Sequence, residues 1–179
     1  MSLTKVSDNM RDTTTLDATK LSGALPAISG ASLTGVESSL APYFASSSSG
    51  TQSVSDAVTT KLLMTAETED SDGCYDTSNS RFTPNKAGRY FIMTTIDFRP
   101  NGADRFHNCY AYIYKNGSQI LYTYEDDYDN YFSYSKSMNL SQVVQMNGTT
   151  DYIEIYGHLN VTTGSPVMKG SVVGFFVGA

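Results

Sequence analysis

The sequence predicts an all-β domain, a sandwich, jelly roll or barrel of short strands, on three observations. Composition is the first: only 17% of residues are charged while 12% are aromatic, with 13 Tyr, 8 Phe and no Trp. That mixture suits half-buried strands better than helices, whose wet faces carry Glu, Lys and Arg. The second is period-two alternation of apolar and polar side chains, which sets in at Leu62 and persists to the C-terminus. The third is the Asn-Gly step, present at Asn116-Gly117 and Asn147-Gly148 among others, a dipeptide suited to tight turns between strands. No room for crossover helices remains between these segments. With 179 residues, 40% of them hydrophobic, the chain fits one ordinary domain plus an appendage.

Residues 1–50 differ in kind from the rest. They are rich in Ser, Thr, Ala, Gly and Leu, and no aromatic precedes Tyr43 and Phe44, so the segment cannot build its own core. Within it, Leu21 to Val36 reads LSGALPAISGASLTGV, a loose tandem whose aliphatic residues Leu21, Leu25, Ile28, Leu33 and Val36 are spaced to dock on a partner. On composition alone a disordered linker reads equally well. The patch Ser46-Ser47-Ser48-Ser49-Gly50 reads as a flexible joint, dividing residues 1–50 from a domain at 51–179. Ser53 to Lys61 allows one or two helical turns or a first strand.

From Leu62 the strands follow in order. Tyr90 to Phe98 places Tyr90, Ile92, Thr94, Ile96 and Phe98 on one face and Phe91, Met93, Thr95 and Asp97 on the other. In Tyr110 to Lys115, Tyr110, Tyr112 and Tyr114 share a face opposite Ala111 and Ile113, and the Asn116-Gly117 turn returns the chain through Gln119 to Tyr124. Leu140 to Met146 leads into the second Asn-Gly turn. In Asp151 to Leu159, Ile153, Ile155 and Leu159 alternate with Tyr152, Glu154, Tyr156 and His158, as in a half-buried antiparallel strand. Gly170 to Ala179 closes the chain as a buried apolar strand.

The stretch Arg81 to Ile92, RFTPNKAGRYFI, resembles the most characteristic segment of the C1q and tumour necrosis factor (TNF) family, with Phe82, Pro84, Gly88 and Tyr90 carrying the match. Lys115-Asn116-Gly117, the phrase Met146 to Ile153, and the ending Gly170-Ser171 with Gly174-Phe175-Phe176 agree in order. The resemblance spans Leu62 to Ala179. It implies a two-sheet jelly roll that assembles as a compact homotrimer; the family's collagen stalk is missing, so the complement function does not carry over. The N-terminal tandem in turn is similar to a short repeat in tail-fibre and other appendage proteins of tailed bacteriophages, through Leu21, Gly23, Leu25, Pro26, Ile28, Gly30, Leu33, Thr34 and Gly35. That likeness implies docking to phage capsid or tail proteins by the N-terminus, with the knob outward toward a host surface glycan or protein. Head fibre, capsid decoration and short tail-fibre knob all fit. The alternative is a bacterial lectin-like module of C1q type outside any virion.

Other partners and chemistries are weakly supported. The net charge is -6 and the 12 Lys and Arg residues are scattered, so no basic stripe offers itself to nucleic acid. No apolar run approaches the ~20 residues of a bilayer span, and the N-terminus lacks the apolar centre of a signal peptide, which leads to the expectation of synthesis in a host cytoplasm, incorporation into a virion and no membrane insertion. His107 and His158 stand far apart outside any catalytic motif, and Cys74 and Cys109 lack CxxC spacing. No enzymatic activity and no cofactor are expected. Asp126, Asp127 and Asp129 form a weak calcium candidate without the EF-hand pattern, and the acidic run Glu67 to Gly73 reads as a solvated loop. Tyrosines in excess of one small core suit subunit interfaces or a half-exposed surface; Tyr110, Tyr112, Tyr114, Tyr152 and Tyr156 are the candidates.

Overall fold

A computed structural model describes residues 42–101, 106–126, 135–162 and 164–179, all of which belong to the unit Ser38–Ala179. Its strands are β1 (Tyr43–Ser47), β2 (Gln52–Ser53), β3 (Thr60–Lys61), β4 (Ala66–Asp70), β5 (Tyr75–Asp76), β6 (Arg81–Phe82), β7 (Gly88–Arg99), β8 (Phe106–Lys115), β9 (Ser118–Asp126), β10 (Lys136–Met146), β11 (Ile153–Val161) and β12 (Val167–Gly178). They form two antiparallel sheets. The first runs β10-β7-β12-β1-β4 with β2 beside β12; the second runs β5-β6-β11-β8-β9 with β3 beside β11.

The core lies between the sheets and is built by the alternation that the sequence shows. From β7 the inward row Tyr90, Ile92, Ile96 and Phe98 is fully buried. Thr94, the polar member of that row, donates its hydroxyl to the Ser171 carbonyl at 2.8 Å, so its burial leaves no hydroxyl unpaired. Facing them are Ala111 and Ile113 of β8 and Ile153, Ile155 and Leu159 of β11. Phe44 of β1 stacks on Phe82 at 4.3 Å and on Tyr75 at 5.1 Å. Gly174 of β12 is what admits that ring, since a Cβ there would stand 2.4 Å from a Phe44 ring carbon. Gly174 thus makes room for Phe44, its register partner on the neighbouring strand of the same sheet.

The Asn116-Gly117 turn is the expected two-residue hairpin: both residues have positive φ, 53° and 76°, the primed geometry matched to strand twist. Asn147-Gly148 is different, because β10 and β11 lie in different sheets and the chain must cross over. Here the Asn147 side chain organises the loop, its Oδ1 accepting from the backbone N–H groups of Thr149, Thr150 and Asp151 at 3.0, 2.9 and 2.9 Å.

Two expectations need correction. The Ser46 to Gly50 patch is not a free joint: Ser46 and Ser47 complete β1, paired with both β12 and β4, and the Ser46 hydroxyl reaches the Met64 carbonyl at 3.1 Å in a buried setting. Short hydroxyl side chains here replace bulk with hydrogen bonds, so the domain begins before residue 51. The acidic run from Glu67 is only partly loop, since Ala66–Asp70 forms the edge strand β4, where exposed carboxylates face water and discourage edge pairing. Of the two alternatives open for Ser53 to Lys61, the strand is the one that forms: β2 ends at Ser53 and β3 covers Thr60–Lys61. The aliphatic residues Leu21, Leu25, Ile28, Leu33 and Val36 lie outside the described residues, as do Asp127 and Asp129.

Candidate functional site

The outer face of the second sheet carries an ordered field of tyrosines. Cross-strand register lines up Tyr156, Tyr112 and Tyr122 in one row, His158, Tyr110 and Tyr124 in the next, and Glu154, Tyr114 and Gln119 in a third. Ring contacts link the rows. Tyr110 stacks on Tyr112 at 6.0 Å and on Tyr124 at 5.4 Å, and Tyr122 lies 6.2 Å from Tyr112 and 6.4 Å from Tyr124. Tyr114 meets Tyr156 at 4.3 Å, and His158 sits edge-on to Tyr110 at 5.4 Å. Tyr122 and Tyr124 remain 51% and 52% exposed, open to a ligand.

Partial burial pushes the Tyr112 and Tyr156 phenols above their ordinary pKa, and the neighbouring Glu154 carboxylate adds to the rise at Tyr156. Burial lowers the His158 pKa, against a smaller opposing pull from Asp56. These side chains are therefore neutral hydrogen-bonding groups near pH 7.

A β-bulge decides that this field faces outward. In the β8–β9 hairpin Lys115 pairs with Ser118 and Tyr114 with Gln119, but Ile113 then pairs with Leu121, leaving Ile120 as an extra residue. Beyond it, Tyr122 and Tyr124 fall opposite Tyr112 and Tyr110. Were Ile120 paired regularly instead of bulged out, they would fall opposite Ala111 and Cys109, which point into the core.

Glu154 anchors the other end of the field. It is only 4% exposed, as buried as a core side chain, because Lys61 of β3 and Arg81 of β6 cover the side of β11 that alternation alone would leave wet. Lys61 Nζ and Arg81 Nη2 lie 3.1 and 2.9 Å from Glu154 Oε1, and Tyr156 donates to Oε2 at 3.2 Å. Burial pushes the carboxyl pKa up, but the Arg81 and Lys61 hydrogen bonds outweigh it and hold the group below its ordinary value.

The first sheet presents a contrasting face. Val143, Phe91, Phe175 and Tyr43 lie in a single row across β10, β7, β12 and β1, with Met93, Val173 and Ala45 in the row behind. Tyr43, Met93, Val143 and Phe175 are 40–48% exposed. The strip then turns polar, through Asn139, Thr95, Ser171 and Ser47, and charged, where Lys169 approaches Asp97.

Of the tyrosines singled out from sequence, Tyr110, Tyr112, Tyr114 and Tyr156 come together, while Tyr152 stands at the head of β11 with the Arg81 guanidinium 3.9 Å from its ring centre. Sequence reasoning missed Tyr122 and Tyr124, whose alternation was visible but whose facing depends on the bulge. It also missed the apolar row, which exists only once four separate strands are placed side by side. Asp126 ends β9, and no group of three or more His, Cys, Asp or Glu converges among the described residues. Cys74 and Cys109 are buried free thiols.

No protein-family model matches the chain, and no curated protein matches it in sequence. Solved structures do. The chain is similar to Eiger TNF from S. frugiperda, with a TM-score of 0.52 and 10% identity over 77% of this chain and 92% of that one. It is similar to murine APRIL with a TM-score of 0.52 and 9% identity, over 74% of this chain and 98% of that one. At such identities the likeness speaks for the fold: an all-β, two-sheet antiparallel sandwich of the TNF-like jelly-roll type, as the sequence resemblance implied.

Proposed function

We propose that this chain is a binding protein of a bacteriophage particle that acts without catalysis: its N-terminal segment attaches to capsid or tail proteins, and its jelly roll assembles into a homotrimeric knob. The observation that carries the assembly is the row Val143, Phe91, Phe175 and Tyr43. Large apolar side chains aligned across four neighbouring strands, backed by Met93 and Val173, form a contiguous apolar patch of the kind that marks association surfaces. Three copies related by a rotation axis can each cover this strip with a neighbour's surface and close the ring; the number three follows the family resemblance. Attachment rests on the Leu21 to Val36 tandem and its likeness to phage appendage repeats. The tyrosine face of the opposite sheet is then turned toward a host surface.

Sedimentation of the full chain tests the assembly. A particle of three times the chain mass at micromolar concentration is expected, and Phe175→Glu, at a half-exposed position, should give monomers that still unfold cooperatively, at a lower midpoint. A monomeric wild type overturns the trimer. Antibody against the chain should decorate purified phage particles, and its failure to do so overturns the virion role.

A further inference from the structure

We infer that the tyrosine face of the β11–β8–β9 sheet, centred on Tyr110, Tyr112, Tyr122 and Tyr124, is a carbohydrate-binding surface for uncharged hexose oligosaccharides. This deepens the binding-knob reading and rests on it. The two outer faces of the sandwich differ in chemistry, and the difference assigns them different partners. Across the first sheet the exposed row is mainly hydrocarbon. In the three aligned rows of the second sheet, every outward side chain carries a polar atom: six are tyrosines, with His158, Glu154 and Gln119 completing them. A protein interface core favours the first pattern. The second matches a partner that alternates C–H patches with hydroxyls over a few ångströms, as a hexose ring does.

Geometry supports the match. The central four rings lie with interplanar angles of 7°, 19°, 30° and 24° at centre separations of 5.4–6.4 Å, so they form one aligned array and not four independently turned rings. Aromatic faces attract the polarised C–H groups of a sugar while phenol hydroxyls exchange hydrogen bonds with its rim. Tyrosine has few rotatable bonds and these rings hold one another in place on strands, so little ordering remains to oppose binding.

Charge selects the class of saccharide. The nearby cations Lys61 and Arg81 contact Glu154, and Asp126 closes the far end of β9 on the tyrosine side in a chain of net charge -6, while Glu125 lies on the other side of the strand, paired with Lys136. An anionic polysaccharide would meet repulsion from Asp126 and from the net negative charge of the chain. An uncharged one meets no such penalty.

The full-length chain titrated with maltoheptaose, mannohexaose and a neutral galactan, alongside polygalacturonate as the anionic comparator, tests the inference by calorimetry. Tyrosine emission gives a second readout, since the chain has no Trp. Binding of at least one neutral probe at millimolar concentration or below is expected, weakened about tenfold or more in Tyr122→Ala/Tyr124→Ala. Both positions are half-exposed on an edge strand, and the thermal midpoint of the variant confirms its fold. Tyr122→Phe/Tyr124→Phe, which keeps the packing and removes the hydroxyls, should weaken binding by a smaller factor. Binding by none of the neutral probes, preference for polygalacturonate, or affinity unchanged in the alanine variant overturns the inference. Sedimentation of the same samples keeps the two readings apart: a monomer that binds sinks only the trimer, and a trimer that binds no neutral probe sinks only the sugar.

Discussion

Glu154 shows how one residue can tie the short strands of the second sheet to the long ones. Its carboxylate receives Lys61 from β3 and Arg81 from β6, two strands of two residues each whose backbone pairing alone is slight. Because the folded protein holds the Glu154 pKa below its ordinary value, the contribution is present above the unfolded-state pKa and is lost as pH falls through the folded one. Glu154→Gln should therefore lower stability by about 1–2 kcal/mol at pH 7, a moderate value because Lys61 and Arg81 keep some contact with water. Urea midpoints measured from pH 7 downward should show wild type and variant converging below the ordinary carboxylate range. A gap that persists undiminished at about pH 2–3 would mean that charge is not what Glu154 supplies. Both thiols illustrate burial without a cationic partner: desolvation pushes Cys109 up to about 12 and Cys74 higher still, where the Asp70 carboxylate that accepts its hydrogen bond adds to the rise, which leaves them protonated at any physiological pH.

Among elements, the long strands were legible because burial on one face imposes period two. Tyr90 to Phe98, Tyr110 to Lys115 and Ile153 to Leu159 could be read face by face, and the Asn116-Gly117 hairpin followed from the positive φ that both residues tolerate. Other elements were hidden for physical reasons. β1 reads as Ser-rich linker because its inward positions hold Phe44 and Ser46, and a buried serine satisfied by carbonyls leaves no hydrophobic trace. β4 is an acidic edge strand stabilised by its neighbour β1, not by its own composition. The tyrosine field is half legible: the β8 row shows in sequence, while the β9 row depends on the single extra residue at Ile120. Deleting Ile120 tests whether the bulge absorbs that residue alone. With the Asn116-Gly117 turn kept, Leu121 still pairs with Ile113, and Tyr122 and Tyr124 stay opposite Tyr112 and Tyr110, so the near-ultraviolet tyrosine circular dichroism should be retained, while loss of the partly buried Ile120 side chain should lower stability by about 1–2 kcal/mol. Loss of that tyrosine signal in a folded variant would show that register is set elsewhere.

At the scale of the molecule, the position of β1 decides where an attachment segment can be separated from the domain that it carries. β1 is an interior strand, hydrogen-bonded to β12 on one side and β4 on the other, and its Phe44 fills the notch above Gly174. Removing residues 1–45 would take out Phe44 and half the strand. Truncation of a buried Phe to Ala alone costs about 3–5 kcal/mol, a large share of the roughly 5–15 kcal/mol that holds a domain together, and losing the strand exposes β12 besides. Removal of residues 1–37 respects the unit Ser38–Ala179 and keeps every described contact. The shorter truncation should melt cooperatively at a midpoint close to that of the full chain, and the longer one should lose its cooperative transition. Assayed for incorporation into phage particles, the 1–37 truncation then separates folding from attachment, because a folded chain that fails to incorporate locates the anchor within residues 1–37, the stretch that holds the Leu21 to Val36 tandem. A folded truncation that incorporates as well as the full chain would remove that tandem from the attachment role.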